Sequence, residues 1–171
     1  MDAATVVYAS AAVLLVIAGI AKALRPATTA ALLADLGVPA VGAIDRTRMT
    51  FGLGFFEVGL GIVALVSEVS AVAVVVGVVY VVFAGTVLTA MRVGAGSCGC
   101  FGRVDAPPSW WHVGGNLVLG AASFVAATGR SPLEVMDGQP LAGAGFVVIV
   151  GVLAGLEFIV FTAVPEARSR R

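Results

Sequence analysis

The chain holds two cysteines, and they stand two apart in the run Gly94-Ala95-Gly96-Ser97-Cys98-Gly99-Cys100-Phe101-Gly102-Arg103. Isolated cysteines in an apolar protein serve as small core fillers, but a pair at C-x-C spacing in a polar, glycine-rich loop is not placed for filling. Two chemistries suit it. The first is a reversible disulfide. Closing a ring over a single residue strains the bond, which makes it easily reduced and suited to passing redox equivalents. Gly99 tolerates the backbone this requires, and Arg103 nearby favours the reactive thiolate. The second chemistry is a soft metal. Two thiolates hold Cu(I), whereas zinc wants four ligands. The sequence offers only His112 as a third ligand, and its four methionines are dispersed. Redox is the favoured reading, with Cu(I) on Cys98 and Cys100 as the alternative. No nucleotide, flavin or haem motif is present, and no other cofactor is expected.

Few other residues are equipped for chemistry. His112 and Asn116 are four apart and share one helix face that begins just after the cysteine loop. There His112 is expected to take a proton from Cys98 or Cys100, or else to be simply solvated. Asn116 lies deep enough to need a hydrogen-bond partner inside the protein. Glu57 sits within an apolar stretch, where inserting a carboxylate costs about 2.5–3.5 kcal/mol. It must face inward and find a partner, either as a proton acceptor near the thiols or as a polar staple between helices. Glu157 invites the same argument more weakly.

The elements that position these residues are set by composition. Apolar residues make up 60% of the 171 and charged residues only 12%, against roughly 25% charged in a soluble domain. A soluble monomer so composed would expose large apolar patches, so the bilayer is the expected solvent and lipid the first partner. Ten basic and ten acidic residues cancel, which gives nucleic acid nothing to bind. The expected fold is all-α: a single-domain polytopic transmembrane bundle of about five spans, a four-helix core plus one. A span needs about 20 apolar residues. The candidates are 3–21, 49–67, 69–91, 112–128 and 141–164, followed by a basic tail at 165–171. The fourth is the shortest and is announced by Pro107-Pro108-Ser109, a turn with an N-cap, and by the interfacial pair Trp110-Trp111. A cleaved signal peptide is disfavoured at the N-terminus, because only Asp2 precedes a long uncharged stretch. Thr28–Leu36 carries Leu32, Leu33 and Leu36 at helical spacing and stops at Gly37 and Pro39. It reads as a short interfacial helix or a plain connector. Glycines in the second and fourth spans, and Gly151 with Gly155 in the fifth, are expected to seat helix contacts, leaving the valine-rich third span to face lipid more.

With five spans, nine Lys and Arg fall on one side and one on the other. The positive-inside rule then places the N-terminus out and the C-terminus in, with the Cys98 loop on the cytoplasmic side.

The run Cys98-Gly99-Cys100-Phe101-Gly102, followed by a proline-containing loop and a helix with Asn116, resembles the MauE family of bacterial membrane proteins. Lys22-Ala-Leu-Arg25-Pro26, Leu36-Gly37-Val38-Pro39 and Glu57 followed by Gly59 agree with this, and are similar to features of the wider DoxX-like group. The resemblance covers roughly Val7 to Ala126. It implies a multi-spanning protein of the cytoplasmic membrane in methylamine utilisation, needed to mature the disulfide-rich, exported small subunit of methylamine dehydrogenase. It also implies a thioredoxin-like partner or an exported client, with Cys98 and Cys100 as the redox pair. Family members commonly carry a basic residue directly before the asparagine, where this chain has Gly115; His112 or Arg103 is the candidate substitute. Oxidative folding of an exported client wants thiols on the outer side, whereas the charge count places them inside. If the first or fourth segment does not fully span, parts of the topology flip.

Overall fold

The computed structural model describes residues 2–40, 45–99, 101, 107–137 and 140–169. Its elements are α1 (Ala3–Leu24), α2 (Pro26–Asp35), α3 (Arg46–Val66), α4 (Ser70–Val93), α5 (Trp110–Ala126), α6 (Pro132–Asp137) and α7 (Pro140–Ser169). No strand occurs among the described residues. Four helices are long and apolar enough to cross a bilayer: α1, α3, α4 and the 143–163 portion of α7. At 17 residues α5 rises only about 25 Å and falls short of that measure. It nevertheless lies antiparallel along α4. Val113 clusters with Ala84 and Val87 near its start, and the Phe124 ring covers Gly77 near its end.

The centre of the bundle is α1, with 61% of its apolar stretch buried, and it touches α3, α5 and α7. It meets α3 at backbone distance. A Cβ at Gly61 would stand 2.6 Å from the Ala12 carbonyl oxygen, and one at Gly54 2.8 Å from that of Gly19. Gly19 is pressed in return against the Gly54 carbonyl. Two tyrosines tie the helices further: Tyr80 donates to the Ala11 carbonyl at 2.7 Å and Tyr8 to that of Ala64 at 3.2 Å.

Other glycines behave differently from expectation. Gly52 and Gly59 in α3 and Gly151 and Gly155 in α7 have open space where a Cβ would be. The GxxxG of α7 therefore seats no helix contact here, and α7 packs on α1 through Phe146 and Val150 against Val6 and Ala9. The helix that presents most surface outward is α7, with 22% of its span buried against 33% for α4.

Helix ends follow local chemistry. Asp45 caps α3, accepting from the Arg48 amide at 2.8 Å, so α3 starts three residues before the apolar run. Ser131 and Glu134 form a reciprocal capping box that starts α6, an element not expected from hydropathy. Both α2 and α4 end in a glycine at positive φ, Gly37 at 71° and Gly94 at 69°. In each the following amide returns to a carbonyl five residues back, Val38 to Leu33 and Ala95 to Ala90, both at 2.9 Å. These turns aim the chain sharply after each helix. Beyond Val164, α7 continues as a helix to Ser169 rather than giving way to a tail.

The α1–α3 contact is expected to be intolerant of any side chain. Gly61→Val should lower stability in detergent by about 1–3 kcal/mol or prevent insertion, while Gly59→Val should change thermal unfolding little. Equal effects from both would show that the backbone approach does not hold the bundle together.

Candidate functional site

The residues with chemistry gather at one end of the bundle, where α1 and α4 finish and α3 and α5 begin. There Glu57 is fully buried and meets Lys22 of α1, whose Nζ lies 2.9 Å from Oε1 and 2.8 Å from Oε2. Lys22 is only 4% exposed. The expected polar staple is thus an ion pair, and its basic half is a residue that charge counting treats as a loop cation. Leaving Lys22 out of that count does not remove the bias towards this end. The Lys22 ammonium also lies 5.7 Å from the Phe83 ring centroid.

The chain turns at Arg25 directly after this pair, and Pro26 opens α2. α2 is more than a connector, because its Thr28, Thr29 and Leu32 are buried. Thr29 donates to the Gly99 carbonyl at 2.8 Å. Gly99 itself has φ 66°, and a Cβ there would fall 2.8 Å from Leu32 Cδ2. Both the backbone conformation and the space therefore require glycine between the cysteines. The chain at Gly99 is clamped under α2.

Cys98 is 5% exposed, and its sulfur lies 3.6 Å from His112 Nε2. His112 is fully buried rather than solvated. Its Nε2 also lies 2.8 Å from the Phe161 carbonyl oxygen, and its Nδ1 lies 2.9 Å from Ser109 Oγ. A carbonyl oxygen only accepts, so Nε2 must carry hydrogen. In that tautomer the single Nε2 hydrogen is shared between the Phe161 carbonyl at 2.8 Å and, more weakly, the sulfur at 3.6 Å, and no Nε2 lone pair faces the thiol. With hydrogen on Nε2, His112 is placed to support a Cys98 thiolate as a donor. Proton exchange on the ring is left to Nδ1, through the half-buried Ser109. Ser109 stands at the N-cap position of α5, as expected, but spends its hydroxyl on His112 rather than on a backbone amide.

Phe161 has its carbonyl available for a chemical reason. The amide four residues on belongs to Pro165, which has no N–H to donate. The Phe161 ring also occupies the position discussed for Gly115, where a Cβ would come 2.5 Å from Phe161 Cζ. A side chain in place of Gly115 is incompatible with this packing. Asn116 donates from Nδ2 to the His112 carbonyl at 2.7 Å, within its own helix.

Cys100 and Arg103 lie outside the described residues. Glu157 is not part of this cluster. It accepts from Ser10 of α1 at 3.0 Å, and its Oε2 is buried without a partner among the described residues. No group of three or more His, Cys, Asp or Glu occurs among the described residues in an arrangement that could hold a metal ion.

A cavity of about 200 Å³ adjoins the thiol. Its wall is apolar apart from a few groups, among them Lys22, Thr29, Cys98 and Asn116. Sequence reasoning did not anticipate Lys22, Thr29, Ser109 or Phe161 as site residues. Pro165 was the readable signal for Phe161, and the need of Glu57 for a partner was the signal for Lys22.

Compared with known families, residues 2–129 match the model of the methylamine utilisation protein MauE. No curated protein and no solved structure matches the chain.

Three outcomes are expected. Lys22→Met leaves a buried unpaired carboxylate and should cost about 3–5 kcal/mol, whereas Lys22→Met with Glu57→Met should recover most of it in thermal unfolding. In a Cys100→Ser background, His112→Phe should slow alkylation of Cys98 by a small reagent about tenfold, the worth of one charge-assisted hydrogen bond of roughly 1.5 kcal/mol. Pro165→Ala returns a competing amide to the Phe161 carbonyl and should slow it in the same direction, by less.

Proposed function

Because the chain belongs to the MauE family, we propose that this membrane protein is a thiol–disulfide redox protein of the bacterial cytoplasmic membrane. Its Cys98–Cys100 pair would serve maturation of a partner such as the small subunit of methylamine dehydrogenase. The observation that carries the reading is the Cys98 sulfur, buried and 3.6 Å from a histidine nitrogen that must carry hydrogen. A structural cysteine has no use for a donor so placed. A sulfur that must leave as thiolate does.

The burial of Cys98 supports one order of events. A client thiolate cannot reach a sulfur that is 5% exposed, so it attacks the Cys100 sulfur of the disulfide. The S–S bond breaks, Cys98 departs as a thiolate beside the His112 N–H, and a mixed disulfide joins the client to Cys100. A second client thiolate then attacks its own half of that bond. The client leaves oxidised, and Cys98 and Cys100 are left as a dithiol. Two electrons pass from client to pair, and the client's two thiol protons are released or retained on the pair.

The Cu(I) reading fits these residues less well. The Nε2 hydrogen aimed at the Phe161 carbonyl leaves no lone pair on the sulfur side for a metal.

The charge bias favours the N-terminus outside and the cysteine end of the bundle at the cytoplasmic face. Thiol exchange would then run with a cytoplasmic or thioredoxin-like partner.

Single-cysteine variants test the order. In Cys98→Ser the Cys100 thiolate can attack the disulfide of an oxidised client, the reverse of the second exchange, and with no Cys98 to resolve it the mixed disulfide should accumulate on non-reducing gels. Cys100→Ser should trap none, and both should abolish maturation. An impermeant thiol reagent should leave Cys100 unlabelled in intact cells after mild reduction and label it in inverted vesicles. Full maturation by both serine variants would end the redox reading, and stoichiometric copper on gently purified protein would replace it with metal binding.

A further inference from the structure

A dithiol that oxidises clients must itself be reoxidised, and the cavity beside Cys98 has the properties of the place where that happens. We propose that it receives a quinone-class acceptor from the bilayer, which takes two electrons and two protons from the Cys98–Cys100 dithiol. This rests on the redox reading above.

Size comes first. An apolar cavity of about 150 Å³ holds one benzene molecule, so about 200 Å³ accommodates a single substituted six-membered ring. It does not accommodate a folded peptide or a dinucleotide. The lining comes second. Leu14, Leu15, Val87 and the rings of Phe83 and Phe161 offer an apolar surface for such a ring. The lining also includes Lys22, which is paired with Glu57, and Asn116, polar side chains of the kind that suit carbonyl oxygens. A lipid tail would need neither. Access comes third. The lining also includes Leu33 of α2, Leu53 of α3 and Val82 and Thr86 of α4, residues that are half-buried or exposed. Val82 is 57% exposed on the outward face of α4, and α3 makes only sparse contact with α4. The cavity therefore opens between helices towards lipid, where an acceptor with an apolar tail is dissolved.

The electron count closes. Two S–H bonds break and one S–S bond forms between Cys98 and Cys100. The two carbonyl oxygens of the quinone gain the two protons and the ring gains the two electrons, giving one quinol per disulfide.

The test uses the full chain in lipid nanodiscs, reduced and freed of reductant, with decylubiquinone as the probe. Thiols are counted by alkylation mass shift and quinol by absorbance, and the azo oxidant diamide is applied to a parallel wild-type sample. The expected result is one quinol per disulfide, at a rate that saturates with decylubiquinone and falls at least tenfold in Thr86→Phe, which narrows the cavity at a half-exposed position. An Ala18→Phe variant, if it inserts, should behave alike. A rate linear in quinone and equal in Thr86→Phe would overturn the cavity as the site. If diamide forms the disulfide and decylubiquinone does not, the acceptor proposal falls while the dithiol reading stands. If neither oxidant forms it, both fall.

Discussion

A lysine and a glutamate buried against one another inside an apolar bundle constrain everything around them. Neither charge is tolerable alone in that setting, because stripping water from an ion costs several kcal/mol that only a close partner offsets. The Lys22–Glu57 pair therefore fixes the rotation of α1 against α3 and the level at which the two helices meet. The glycine contacts allow close approach but would allow neighbouring registers as well; the ion pair selects one. Since Lys22 occupies the last turn of α1, the register it sets also determines where α2 begins. α2 in turn holds the cysteine loop through Thr29 and Leu32.

The loop is thus positioned from two sides. From α4, Gly94 at positive φ turns the chain back over the helix end. From α2, a threonine hydroxyl and a leucine side chain close over Gly99. A flexible C-x-C would sample many sulfur positions, and most would be out of reach of His112. Held this way, Cys98 meets the one nitrogen whose hydrogen is directed by a carbonyl. The site is then built largely of hydrogen bonds whose direction is forced: a carbonyl that cannot donate, a proline that cannot compete for it, and a glycine that alone fits its backbone.

Much of this was legible in the sequence. The spans and their helical class followed from apolar runs of membrane length, and the cysteine pair from its spacing. The stop at Gly37 followed from a residue type that tolerates left-handed backbone. What was not legible divides by cause. Lys22 was read as a solvated loop cation because linear hydropathy cannot tell a long side chain that folds back into the bundle from one that extends into water. His112 reads equally as a base, a metal ligand or a solvated side chain because the sequence does not say what its ring nitrogens face. The GxxxG of α7 looked like a contact because spacing shows that a face is smooth, not that anything lies on it. The α6 capping box was readable as Ser131-x-x-Glu134 and was passed over because hydropathy is silent about a six-residue helix.

The matched family region ends at residue 129, yet the site does not. Phe161 of α7 supplies the carbonyl that fixes the His112 tautomer, and its ring fills the space above Gly115. It also stacks with Phe101, just past the cysteines, at 6.1 Å between centroids, and Phe158 meets the same ring at 5.2 Å. Among the four membrane-length helices, α7 is the one with the smallest share of its span buried, so little of it is committed to holding the bundle. It packs on α1 through Phe146 and Val150 and through the Ser10–Glu157 hydrogen bond, and it reaches the thiol site through Phe161. The Gly115–Phe161 pairing joins α5 to this end of α7: where a side chain at position 115 would fill the space from within α5, this chain leaves it bare and fills it from α7.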